Sequence, residues 1–241
     1  MRSTDVWAVN GNMKAIVLDT ETSSKEGNPC EVAWLGIDVQ EGRLKPLPQQ
    51  HNQRYHPQEP ISLGAIAVHH ILDEDVADCP PHTVFRLPAG VEYIIGHNID
   101  FDLAAIARSG VDVSGLKAIC TLALSRALWP TAESHTLSAM AYFHADNRAA
   151  VREVLRNAHS AMTDVKLTAA LLRCIIKQAK VADLAALYSL SEQARVPTVI
   201  GFGKYKGTEI AALPADYVAW LGKQTDLDPY LLKALKQHFR I

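Results

Sequence analysis

Asp19 and Glu21 stand two residues apart at the end of the apolar run Ala15-Ile16-Val17-Leu18. Four apolar residues bounded by Asn10-Gly11-Asn12 on one side and by acids on the other predict a short buried strand. Side chains alternate across a strand, so both carboxylates leave the same face. At about 4 Å two like charges repel by roughly 4 kcal/mol even at an effective dielectric of ~20. Such a pair suits a divalent cation that prefers hard oxygen ligands, Mg²⁺ or Mn²⁺. Taken alone, the pair is a weak signal, and solvated turn acids are the plainer reading. Two later segments change that balance.

The first is Gly96-His97-Asn98-Ile99-Asp100-Phe101-Asp102-Leu103, which follows the apolar strand Glu92-Tyr93-Ile94-Ile95 and leads into a helix through Arg108. Asp100 is predicted as the helix N-cap and Asp102 as a first-turn acid near the positive end of the dipole. Capping explains one acid and leaves the other without a reason. The second segment is His159-Ser160-Ala161-Met162-Thr163-Asp164, at the start of a long apolar-faced helix through Ile176. Five residues on a helix turn through about 140°. His159 and Asp164 therefore share a site only if His159 precedes the helix. A strand order that gathers these ends would build an acidic cage from Asp19, Glu21, Asp102 and Asp164. Two divalent ions in such a cage stabilise both the attacking and the leaving oxygen of an in-line phosphoryl displacement. His159 beside it would be the general base that takes the proton of the attacking water.

The elements that must position these residues read as α/β. After the first strand, the polar loop Thr22 to Pro29 leads to a second strand over Cys30 to Asp38. Gly42 marks a turn, and a third strand falls within Arg43 to His56, so the three are antiparallel neighbours. Ser62 opens a helix over Leu63 to Ile71, in which His69 and His70 are assigned to packing or local hydrogen bonds, since adjacent helical positions face different ways. Further helices are predicted over Cys120 to Trp129, Thr136 to Tyr142 and Val181 to Gln193, with a loop or short helix over Arg148 to Asn157.

The chain has 241 residues, a formal charge of −2 and four cysteines without a Cys-x-x-Cys pair. That argues against structural zinc and a disulfide framework, and predicts reduced thiols in a cytoplasmic, soluble protein. Neither a signal-peptide core nor a membrane span is expected. The predicted organisation is a flexible leader (1–12), a main domain (13–178), a helix and linker (179–197) and a small, mostly helical module (198–241). The module opens with Phe202-Gly203-Lys204-Tyr205-Lys206-Gly207, and from Arg195 onward seven Lys/Arg face four Asp/Glu.

The Asp19-Thr20-Glu21-Thr22 stretch, the His97-Asn98-x-x-Phe101-Asp102 segment and the His159-x-x-x-x-Asp164 segment resemble, in order and spacing, the three motifs of the DEDDh exonucleases. These are 3′-to-5′ nucleases with a ribonuclease H-like fold, a mixed sheet flanked by helices. The resemblance implies that Asp19, Glu21, Asp102 and Asp164 are the ligands of two Mg²⁺ or Mn²⁺ ions and that His159 is the base. It favours Asp102 over Asp100, and adds Thr20 and Asn98 as substrate contacts. The Pro60-Ile61-Ser62 start, Ala67-Val68-His69, Arg126-x-Leu128-Trp129-Pro130 and the glycine-rich tail are similar to an exodeoxyribonuclease branch of that family. DNA 3′ ends, in repair or processing, are then the implied substrate, with 5′-mononucleotides released. One departure is Ser24-Lys25-Glu26-Gly27, charged where an apolar wedge against a terminal base pair is expected; it points to single-stranded ends.

In the tail, Lys204 and Lys206 are candidates for phosphate contacts and Tyr205 for stacking on a base. The alternative there is that Phe202 and Tyr205 pack the small module's core around a glycine turn. For the whole chain the rivals are an exoribonuclease, which would read the 2′-OH through contacts no motif reveals, and a non-catalytic nucleic-acid-binding module. A histidine–aspartate phosphohydrolase needs an adjacent His-Asp pair, and the sequence has none.

Overall fold

The computed structural model describes residues 13–156, 160–200, 202–224 and 227–240. The predicted leader, 1–12, lies outside the described residues. Five strands form one mixed sheet: β1 (Ala15–Thr22), β2 (Pro29–Gln40), β3 (Arg43–Arg54), β4 (Tyr93–Gly96) and β5 (Lys117–Cys120). Their order is β3-β2-β1-β4-β5. β1, β2 and β3 pair antiparallel, whereas β4 and β5 join the other side of β1 in parallel. This is the ribonuclease H-like arrangement of a mixed sheet with flanking helices.

The β2–β3 hairpin closes on Glu41 (φ 52) and Gly42 (φ 69). Two consecutive left-handed residues are what a tight primed turn requires. β3 lies at the sheet edge and carries Pro46, Pro48 and Lys45, residues that blunt an exposed edge. At the other edge, β5 is a strand that the sequence reading did not anticipate. It has four residues and begins with a lysine, too short for a period to show, and it exists through its parallel pairing with β4.

The helices are α1 (Leu63–His69), α2 (Asp73–Val76), α3 (Ile99–Arg108), α4 (Thr121–Leu128), α5 (Leu137–Phe143), α6 (Arg148–Leu155), α7 (Ala161–Ala179), α8 (Leu184–Arg195), α9 (Ala215–Leu221) and α10 (Pro229–His238). α7 lies against β1, β2 and β3, with α4 and α5 packed on it, whereas α3 lies against β1, β4 and β5. β1 is thus covered on both faces, which is why its apolar run is continuous rather than alternating. Ile16 and Leu18 pack with Ile94, Ile99 and Ile106. By alternation, Ala15, Val17, Asp19 and Glu21 face the opposite side, toward α7.

His69 and His70 do local work, as expected. His69 is buried and bonds the Thr22 carbonyl and the Ile71 amide, whereas His70 ends α1 in the left-handed region. One cap differs from expectation. The N-cap of α3 is Asn98 (φ 73), with Asp100 at the second helical position. The left-handed turn at Asn98 reverses the chain straight out of β4, so the helix begins earlier than an Asp100 cap would allow.

The chain divides into two compact units, Met1–Tyr188 and Ser189–Ile241, and the division falls within α8. The second unit has its own core of Ile200, Ile210, Leu213, Val218, Leu221, Leu231 and Leu235. No helix among the described residues is long and apolar enough to cross a membrane.

Gly96 ends β4 beside β1, and a Cβ there would lie 2.6 Å from Ile99 Cδ1 and 3.1 Å from the Leu18 carbonyl oxygen. The isoleucine tip can turn aside, but the strand backbone cannot. Gly96→Ala is expected to lower stability by about 1–3 kcal/mol, read as a shifted denaturant midpoint at unchanged slope.

Candidate active site

The C-terminal end of β1 gathers acids from three elements. Asp19, Glu21 and Asp164 each bring a carboxylate oxygen within 4.8 Å of the others'. Asp164 arrives there because α7 buries one stripe against the sheet. Thr168, Leu171 and Ile175 lie on that stripe, and Asp164 extends it by one turn at the helix start. The residue between the two β1 acids faces the other way, toward α3. Thr20 is buried and donates to Asp102 Oδ1 twice, from its backbone N–H (2.9 Å) and its hydroxyl (2.8 Å). Alternation along β1 thus sends two acids to α7 and uses the intervening threonine to fix a third acid from α3.

The electrostatics follow from this crowding. At 4.8 Å each carboxylate pair repels by roughly 3–4 kcal/mol at an effective dielectric of ~20. Burial, then the charges of Asp164, Glu31 and Asp102, push Glu21 up to about 9. Asp19 is held well above the usual carboxylate range by burial and by Asp102, Glu21 and Asp164. Asp102 rises to about 7 through burial, opposed by the two Thr20 hydrogen bonds. A bound cation would offset this crowded negative charge and bring the carboxylates back down. An all-carboxylate oxygen set of this kind fits a hard divalent ion.

Of the residues singled out from the sequence, Asp19, Glu21, Asp102 and Asp164 come together at one corner. His159 lies outside the described residues. Asn98 is exposed beside the corner's α3 arm, and its side chain makes no capping bond. Thr20, expected as a substrate contact, has its amide and hydroxyl both turned to Asp102, because its strand position faces α3. Lys204, Tyr205 and Lys206 belong to the second unit.

The residue the sequence reading missed is Glu31. It lies directly opposite Glu21 on β2 and is buried. Its Oε2 accepts the backbone N–H of Ala161 at 2.9 Å, and its Oε1 lies 3.8 Å from Arg54 Nε. Glu31 therefore ties the first residue of α7, the helix that carries Asp164, to the strand beside Glu21. The signal was present: an acid inside the otherwise apolar Cys30-Glu31-Val32-Ala33-Trp34. The loop after Glu21 is also pinned. Arg108 donates to the Gly27 carbonyl through Nε (2.9 Å) and Nη2 (2.6 Å), and Glu59 accepts from the Asn28 amide (2.7 Å) and from the Ser23 hydroxyl.

Over 237 residues the chain is 31% identical to exodeoxyribonuclease 10 of Escherichia coli K12, which spans 92% of this chain and 97% of that protein. The chain belongs to the exodeoxyribonuclease 10, or exonuclease X, family. A solved exonuclease X in complex with 5′ overhanging duplex DNA matches the family fold here with a TM-score of 0.55 at 28% identity, covering 73% of this chain and 99% of that one. The zinc-bound form of an E. coli ExoI–ssDNA complex shares the fold, with a TM-score of 0.55 at 18% identity over 69% of this chain and 41% of that one. Residues 190–231 match a separate family described as "Putative quorum-sensing-regulated virulence factor". In this exonuclease X family member, that segment lies within the second unit, which begins one residue earlier, at Ser189 in α8.

Two outcomes are expected. Glu31→Ala leaves the buried Ala161 N–H without its acceptor and should cost about 1–3 kcal/mol of stability. Glu31→Gln keeps an acceptor oxygen and should cost distinctly less in the same denaturation experiment. The second outcome concerns pH. Asp19, Glu21 and Asp102 hold protons in the folded chain at pH values where the unfolded chain has lost them. Their contribution is full below the unfolded carboxylate range, about pH 4, and falls as pH rises through about 9. Thermal midpoints in chelator should therefore decline over that interval, and added Mg²⁺ or Mn²⁺ should flatten the decline.

Proposed function

We propose that this chain is a metal-dependent 3′-to-5′ exodeoxyribonuclease acting on DNA 3′ ends and releasing 5′-mononucleotides, in DNA repair or processing. The observation that carries the reading is the meeting of Asp19 and Glu21 with Asp164, more than 140 residues away in sequence, within 4.8 Å. Family membership through exodeoxyribonuclease 10 supports the reaction class. In this reading Asp19, Glu21, Asp102 and Asp164 hold two Mg²⁺ or Mn²⁺ ions, which when bound polarise the scissile phosphate and stabilise charge on the attacking and leaving oxygens. His159 accepts the proton of the attacking water. An imidazole with a near-neutral pKa is suited to that transfer. Thr20 keeps the Asp102 carboxylate aimed at the corner through two donated hydrogen bonds. Asn98, exposed at the start of α3, offers an amide to the terminal nucleotide.

Single-stranded 3′ ends are the favoured substrate. The pinned loop beside Glu21 presents Ser24, Lys25 and Glu26, and no apolar side chain that could wedge a terminal base pair apart. A duplex reading has its own support, because the related exonuclease X was solved on 5′ overhanging duplex DNA.

With Mg²⁺ or Mn²⁺, the purified protein is expected to shorten a 5′-labelled oligonucleotide stepwise from its 3′ end, with chelator stopping the reaction. Asp19→Ala and His159→Ala should each reduce the rate by at least about a hundredfold, the scale of losing a general base or an electrostatic stabiliser, while the circular dichroism spectrum is retained. Trimming that persists in either variant would place the activity elsewhere. Single-stranded DNA should outrun recessed 3′ ends and RNA in the same assay.

A further inference from the structure

The second unit carries a row of aromatic rings that runs from the edge of its core out to the surface. Tyr205 and Tyr217 have ring centroids 4.6 Å apart, and Tyr217 and Trp220 are stacked at 5.5 Å with an interplanar angle of 21°. Tyr217 and Trp220 are three apart on α9 and share one side of it. Tyr205 and Tyr217 pack partly against the unit's core, whereas Trp220 stands 52% exposed and Phe202, on the neighbouring loop, 48%. The Lys204 ammonium sits 5.2 Å from the Tyr205 ring centroid. Lys204 and Lys206 make no ion pair among the described residues.

The loop is built to bring these groups together. The Gly207 N–H donates to the Ile200 carbonyl at 2.7 Å, and the Ile200 N–H to the Thr208 carbonyl at 2.9 Å, which hold Gly207 and Thr208 against Ile200. Gly203 (φ +66) and Gly207 (φ +84) adopt left-handed conformations. A Cβ on Gly203 would lie 3.3 Å from Tyr217 Oη, so a glycine lets the loop lie close against α9. Single exposed apolar residues are ordinary on a protein surface. A contiguous ladder of rings flanked by lysines that make no ion pair among the described residues is not, and it matches the chemistry of unpaired nucleobases joined by phosphates. Bases stack on exposed rings whatever their identity, and lysines contact the backbone between them.

We propose that Tyr205, Tyr217 and Trp220, with Lys204 and Lys206, form a base-stacking platform that binds single-stranded DNA without sequence preference. This deepens, and rests on, the reading of the chain as a DNA exonuclease: it gives the second unit a task in holding the substrate strand. The charge is of the right sign, because the segment from Arg195 onward has seven Lys/Arg against four Asp/Glu while the whole chain is at −2.

The test uses the full chain in chelator, so binding is measured whether or not the protein is a nuclease. A 5′-fluorescein oligothymidylate of about 16 nucleotides, within the site size of stacking platforms, is titrated by anisotropy. Trp220→Leu keeps apolar bulk and removes the ring, and affinity should fall about tenfold, toward the low end for loss of one base–aromatic stack. Trp220→Phe keeps a ring and should bind within a few-fold of the parent at a matched thermal midpoint. Lys204→Ala with Lys206→Ala should reduce the salt dependence of binding by close to two phosphate contacts' worth of slope. Equal affinity of the parent, Leu and Phe proteins would overturn the proposal and assign the rings to another partner, such as a protein surface. Equal weakening by Leu and Phe would overturn it as well, because the ring would not be what matters.

Discussion

Carboxylates that repel one another must be held together for this site to exist. Asp19, Glu21 and Asp164 crowd within 4.8 Å, with Asp102 fixed beside them and Glu31 directly across the strand pair from Glu21. Left to a flexible chain, such groups would separate into water. Here their backbones are fixed by elements whose stability comes from elsewhere: a central strand buried on both faces, a 19-residue helix with an apolar stripe along the sheet, and a shorter helix leaving β4. Burial first, and the mutual repulsion after it, holds these carboxylates above their ordinary range, and a divalent cation would relieve the repulsion. Structure and chemistry are thus linked through one unfavourable term that the fold sustains.

How the frame sustains it is visible in two contacts. Thr20 and Glu31 are polar residues inside buried strands, and each captures a donor or acceptor on a different helix. Thr20 holds the side chain of Asp102 on α3, whereas Glu31 holds the first backbone N–H of α7. Polar groups in such places are costly when unpaired and strongly orienting when satisfied. Both helices that deliver acids to the corner are therefore tied to the sheet at the end where the acids sit. The Arg108 fork on the Gly27 carbonyl ties the loop after β1 in the same way.

The second unit solves a different problem. Its core is a short list of aliphatic residues from α9, α10, the short turn Ile210–Ala212 with Leu213 after it, and Ile200, and its aromatic residues lie mostly at the edge. Sequence reading left open whether Phe202 and Tyr205 pack inside or face outward. The two residues divide: Tyr205 leans on the core and on Tyr217, and Phe202 is half-exposed.

Much of this was legible from the sequence. The apolar run before Asp19 fixes a buried strand, a period of two puts Asp19 and Glu21 on one face, and helical periodicity fixes the long helix that begins near Asp164. Local turn chemistry likewise gives the Gly42 hairpin and the Ser62 cap, since each depends only on neighbours in the chain. Three features needed the tertiary structure. β5 is a four-residue strand defined by a partner rather than by its own pattern, and the left-handed Asn98 cap is imposed by the path from β4 into α3. The third is the pairing of Glu31 with Ala161, 130 residues apart, which no local pattern encodes. Periodicity reports which way a side chain points from its own element; only the packing of elements decides what it meets there.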